Sequence, residues 1–237
     1  MEFQKILEAN STLQHVVSKT PLVHADKIHK NLWIKAENLQ GTGAFKLRGA
    51  YHKISQLSWE EKAKGVIAAS AGNHAQGVAY ACAAMNIKGT IVMPKTAPLS
   101  KIEATRSYGV EVELQGDTFN DAYAYAKNLQ EITGAVFIEP FDDEAVIAGQ
   151  GTIGLEIIER MSDVDTVIVP IGGGGLISGI ALAIKTLKPD CRVIGVQSEN
   201  AASMKNSLEQ KKIITLDSVS TIADGIAVKT PGKLTYE

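Results

Sequence analysis

Three short stretches of this chain hold residue types whose spacing suits chemistry. The first is a run of four glycines, Gly172, Gly173, Gly174 and Gly175, which follows the apolar stretch Thr166–Val169 and opens a segment of helical period at Leu176. Without Cβ atoms a backbone can close on an anion, and N–H groups at a helix start point toward it, so a phosphate is the natural guest. A strand-to-helix turn that needs unusual backbone angles is the plainer reading. A dinucleotide fingerprint is a third, with Glu199 beyond the next strand as the ribose partner. Its G-x-G-x-x-G/A spacing fits poorly: counted from Gly172 the sixth residue is Ile177, and counted from Gly173 it is Ser178.

The second stretch, Gly41–Ala50 (GTGAFKLRGA), sets Lys46 among small and apolar neighbours. Partial desolvation there would depress the pKa of the amine and free it as a nucleophile toward a carbonyl. The alternative is an ordinary helical lysine with its stem on apolar surface and its head in water, and Phe45 in the core. The third stretch, Ser70–Gly77 (SAGNHAQG), ends a strand at Ser70 and begins a helix at Asn73 or His74. Donors at such a helix start suit a carboxylate or a ring oxygen. Read alone, Asn73 serves as well as a helix N-cap, and His74 as a first-turn surface residue.

The elements that must position these loops are legible as alternation. Gly65–Ser70, Gly89–Met93, Val110–Leu114, Ala135–Ile138, Thr166–Val169 and Arg192–Val196 read as short buried strands. Between them His74–Met85, Ser100–Tyr108, Thr118–Ile132, Thr152–Met161 and Leu176–Leu187 read as helices. This order predicts an α/β fold of parallel sheets with helices on both faces. In such sheets ligands gather beyond the carboxyl ends of the strands, where the glycine run and Ser70–Gly77 both fall. The stretch Glu139–Asp143 is a plausible crossing point between domains.

Composition narrows the class. With 237 residues and 45% hydrophobic content the chain can bury a substantial core. The 24 basic and 26 acidic side chains nearly cancel and form no block, which gives no support to a nucleic-acid or membrane partner. Cys82 and Cys191 make neither a disulfide framework nor a zinc pattern, so no metal is expected, and they suit a reducing cytoplasm. The N-terminus lacks the apolar core of a signal peptide.

Taken in order, GTGAFKLRGA, SAGNHAQG and PIGGGGLISGIA resemble the signatures of fold-type II pyridoxal-phosphate (PLP) enzymes. VMPKTAPLSKIEATRSYGVEV, FDDEAVIAGQGTIGLEI and VIGVQSEN match as well, and the whole is similar to the catabolic-type L-threonine dehydratases (threonine ammonia-lyases). The resemblance implies a tryptophan-synthase-β-like architecture of two parallel-sheet domains. Residues 1–53 and 141–237 would form the large PLP-binding domain, and 54–140 a small mobile one. It implies that Lys46 binds the cofactor and serves as general base. Phe45 would pack on the pyridine face and Asn73 would bond the ring oxygen. Gly172 to Gly175 and Leu176 would supply N–H groups to the phosphate, and Ser70, Asn73 and His74 would receive the substrate carboxylate.

The activity so implied is deamination of L-threonine and L-serine by β-elimination to a 2-oxo acid and ammonia, in a cytoplasmic homo-oligomer acting on a small amino acid. The resemblance also implies that the chain stops short of the family's C-terminal part, leaving the large domain incomplete and lacking the polar residue, usually serine, that partners the pyridine nitrogen. A partly folded fragment acting only by association is therefore an alternative. Serine racemases are another, but they carry a serine where Ala71 stands, and alanine cannot exchange a proton. β-Replacement enzymes such as cysteine synthase have different lysine and carboxylate motifs.

Overall fold

The computed structural model describes residues 1–237. Its first half contains α1 (Phe3–Leu13), β1 (Leu22–His24), β2 (Trp33–Lys35), α2 (Lys46–Ser55), α3 (Trp59–Lys64), β3 (Val66–Ala69), α4 (Asn73–Met85), β4 (Gly89–Met93) and α5 (Leu99–Arg106). Then follow β5 (Glu111–Leu114), α6 (Phe119–Thr133), β6 (Val136–Phe137), α7 (Glu144–Arg160), β7 (Thr166–Pro170), α8 (Gly175–Leu187), β8 (Arg192–Val196), α9 (Ser203–Gln210) and α10 (Lys233–Tyr236). No helix is long and apolar enough to cross a membrane.

Contacts divide the chain into two compact units. One comprises 15–17 and 38–140, the other 1–14, 18–37 and 141–237. The crossing after Pro140 falls within the Glu139–Asp143 stretch. The segment 38–53, expected with the larger unit, shares its contacts with 54–140 instead.

In the 38–140 unit, β5-β4-β3-β6 form a parallel sheet in that order. Strand alternation sends Val66 and Ala68 into one core with Ile91, Met93, Ala50, Ile54, Val78 and Ala81. It sends Ile67 and Ala69 to the other face, against Val92, Phe137 and the α6 residues Ala122 and Ala126. Helices therefore cover both faces, and each fully buried aliphatic side chain contributes about 1.5–3 kcal/mol. Capping boxes at Ser58/Glu61 and Thr118/Asp121 fix the starts of α3 and α6.

In the second unit, α7 and α8 approach through glycines. A Cβ on Gly179 would lie 2.6 Å from the Gly151 nitrogen, and one on Gly154 would lie 2.8 Å from the Ala183 Cβ. Helix α1 adds Ile6 and Ala9 to Ala148 and Ala183. In the same unit, the part-buried Lys35 ammonium donates to the Thr20 carbonyl at 2.5 Å and to Glu156 at 2.6 Å.

Helix α7 begins at Glu144, eight positions before the expected Thr152, because the Asp143 carboxylate caps it through the Ala145 and Val146 N–H groups at 2.8 and 3.0 Å. Strands β7 and β8 pair in parallel with each other alone. Hence Arg192–Val196 is largely exposed rather than buried, and β7 buries Val167 and Val169 but leaves Ile168 exposed. In the other sheet β5 also carries an exposed residue, Glu111, and only half-buried ones after it, because it is the outer strand.

Candidate active site

Lys46 is the first residue of α2, and its side chain points to a carbonyl rather than to water: Nζ donates to the Pro140 oxygen at 2.6 Å. The residue as a whole keeps some accessibility, but burial of its amine holds it far below the usual lysine range, at about 8. Roughly a tenth of such amines are neutral at pH 7, against about one in three thousand for an ordinary lysine. The solvated, stem-on-surface alternative is thereby excluded. The Phe45 ring centre lies 5.5 Å from Nζ. Pro140 was not foreseen, since a backbone acceptor 94 positions away leaves no mark in side-chain spacing.

Helix α4 supplies the neighbouring face. A Cβ on Gly77 would meet the Lys46 carbonyl group and the Leu47 nitrogen at 3.1 Å, so this glycine permits the close approach of α2 and α4. The helix N-cap is Gly72 and no side chain caps it, so Asn73 opens the helix instead of capping it. The Ser70 hydroxyl accepts from the Gly72 N–H at 3.2 Å and retains its own proton for another acceptor.

His74 is buried, not on the surface as its position in the first turn suggested. Its Nε2 lies 2.9 Å from the Ile138 oxygen, and because a carbonyl only accepts, Nε2 carries the proton. Nδ1 has no partner. Burial, and then the nearby Lys46 charge, push the ring down to about 3, so the imidazole is neutral. A neutral ring protonated at Nε2 presents only a lone pair at Nδ1. The His74 ring therefore has no proton at Nδ1 to donate.

The glycine run belongs to the other unit and joins β7 to α8. Only Gly174 has a positive φ, +104°. The remaining glycines answer to crowding: a Cβ on Gly173 would strike the Phe141 ring, and one on Gly175 would lie 2.8 Å from the Phe141 oxygen. Unusual backbone angles thus account for one glycine of four. No side chain caps α8, and the N–H groups from Gly172 to Leu176 have no protein acceptor. Five donors at the start of a 13-residue helix suit a phosphate. An amine depressed by burial suits an aldehyde. Each taken by itself, the loop has the donors for a phosphate and the lysine the amine for an aldehyde, the two groups that the cofactor implied by the resemblance carries.

The profile of the family described as "Pyridoxal-phosphate dependent enzyme" matches residues 13–237. The L-threonine ammonia-lyase of Thermotoga maritima is 54% identical over 238 residues, covering 99% of this chain and 59% of that protein. The catabolic L-threonine dehydratase TdcB of Escherichia coli K12 is 52% identical over 98% of this chain and 72% of its own length. Among solved structures, the processed threonine deaminase isoform 2 of Solanum lycopersicum superposes with a TM-score of 0.95 at 46% identity, covering 99% of this chain and 66% of that one. The chain thus spans about three fifths to three quarters of the length of these relatives.

Proposed function

Because the chain belongs to the pyridoxal-phosphate dependent enzyme family, we propose that it deaminates L-threonine and L-serine by β-elimination, releasing a 2-oxo acid and ammonia. The observation that carries this reading is the Lys46 amine, desolvated to about 8 and held by the Pro140 carbonyl. Bound at Lys46, the cofactor supplies an electron sink for negative charge at the substrate α-carbon. The rest falls to side chains and backbone of this chain. Lys46, freed once the substrate amine has displaced it, would take the α-proton as general base and bear it on Nζ. Gly172, Gly173, Gly174, Gly175 and Leu176 would hold the phosphate through N–H groups. Phe45 would pack against the ring, Asn73 would donate to its oxygen, and Ser70, Asn73 and the α4 backbone would receive the substrate carboxylate.

Elimination is favoured over racemisation by Ala71, which stands in the SAGNHAQG turn and offers a methyl group where a second proton carrier would be needed. The finer architecture belongs to the same proposal: the 141–237 unit as the cofactor-phosphate domain, the 54–140 region as its mobile partner, and self-association into an oligomer. The test is 2-oxo acid formation from L-threonine by the purified chain with added PLP. Wild type is expected to form product, and Lys46→Ala to lose at least about 100-fold in rate. Equal rates in the two proteins would refute the assignment. No product from either would favour a fragment that acts only by association.

A further inference from the structure

We propose that Thr235 and Asp142 are positioning residues that aim the Gly174 N–H at the cofactor phosphate, an inference that rests on the reading above. The oxygen of Gly173 accepts two hydrogen bonds, from the Thr235 hydroxyl at 2.6 Å and from the Gly232 N–H at 3.1 Å. The peptide joining Gly173 to Gly174 is trans and planar, so its C=O and its N–H point in opposite directions. Tying the oxygen to the 232–235 turn sends the Gly174 N–H the other way. That N–H has no acceptor in the protein.

The tether answers a need peculiar to this loop. Four glycines in succession have little intrinsic preference for one backbone conformation, and Gly174 sits at a φ of +104°. An untethered peptide at this point would populate several orientations, and the phosphate would have to select one. Thr235 removes that freedom twice, by its bond to the Gly173 oxygen and by filling the space a Gly174 Cβ would need, with its own Cβ 2.6 Å away.

Asp142 in turn holds Thr235. Its carboxylate accepts from the Lys233 N–H at 3.0 Å, the Leu234 N–H at 2.9 Å and, more weakly, the Thr235 N–H at 3.4 Å. Its neighbour Phe141 lies directly against Gly173. Two adjacent residues thus restrain the loop, one by contact and the other through the turn.

The experiment uses the full chain and two probes, PLP and pyridoxal, which lacks the phosphate. Each is titrated by absorbance into wild type, Thr235→Val, Thr235→Ser and Asp142→Asn. Thr235→Val is expected to weaken PLP about 3- to 10-fold, the range for one lost hydrogen bond, while the Kd for pyridoxal stays within about twofold. Thr235→Ser, which keeps the hydroxyl, is expected to restore PLP binding to near the wild-type value. Asp142→Asn is expected to show the same phosphate-selective loss. Circular dichroism checks that each variant is folded, and Asp142→Asn decides by the same comparison if Thr235→Val is not. Unchanged PLP affinity, or equal weakening of both probes, would overturn the inference while leaving the role of Lys46 intact. A wild-type chain that takes up neither probe would overturn the functional reading and this inference with it.

Discussion

At the scale of the residue, the site is built at a cost in stability. Lys46 has an ordinary pKa near 10.5 in an unfolded chain and about 8 in the folded one, because burial penalises its charge. The penalty is fully present below pH 8, where both states are protonated, and vanishes as pH rises toward 10.5. Lys46→Met is therefore expected to raise the stability of the cofactor-free chain by about 1–2 kcal/mol at pH 7, after allowing for the lost bond to Pro140. The advantage should disappear by about pH 10. Urea unfolding of both proteins at the two pH values checks this, and a variant less stable than wild type at pH 7 would mean that the Pro140 bond outweighs desolvation. Burial that lowers the Lys46 amine also pushes the His74 ring down, to about 3. Neither environment is written in GTGAFKLRGA or SAGNHAQG. The motifs gave the residue types, whereas the acceptor carbonyls of Ile138 and Pro140 come from a strand end far along the chain.

At the scale of the element, positions are set by helix starts and by glycines that let helices touch. Gly77 shows this most clearly, because its missing Cβ is what allows α4 to lie against the first turn of α2. Gly77→Ala is expected to cost about 1–3 kcal/mol and to weaken PLP uptake, since the 3.1 Å contacts fall on the backbone of Lys46 itself. Denaturant midpoints and a PLP titration measure both effects; a fully tolerated alanine would show that α2 and α4 can part without moving Lys46. Elements of this kind were legible where one pattern dominated. Gly89–Met93 and Arg192–Val196 emerge with their expected bounds, as does the end of α8 at Leu187. The helix expected from Thr152 instead starts at Glu144, and Gly149 and Gly151 are buried in the middle of α7. The hairpin of β1 and β2 carries too few residues to alternate visibly, and α1 precedes every motif.

At the scale of the whole molecule, alternation of strand and helix foretold parallel sheets, and the four-stranded one has both faces covered. It could not foretell the exposed β8. A strand's own residues say that it is apolar, while its burial depends on what packs beside it. The grouping of residues 38–53 with 54–140 was equally hidden, because it rests on contacts between α2 and α4 rather than on any shift in composition. The glycine run and Lys46 stand out in the sequence, whereas the hydrogen bond between Asp142 and Thr235, which lie 93 positions apart, leaves no mark there.

Everything proposed for this site depends on PLP binding at Lys46. The most direct measurement is the absorbance spectrum of the purified protein with added PLP, for wild type and Lys46→Ala, before and after L-threonine. Wild type is expected to show a band near the visible edge that is absent from Lys46→Ala and altered by threonine. A band that persists without Lys46, or a wild-type spectrum that is only that of free PLP, would contradict it.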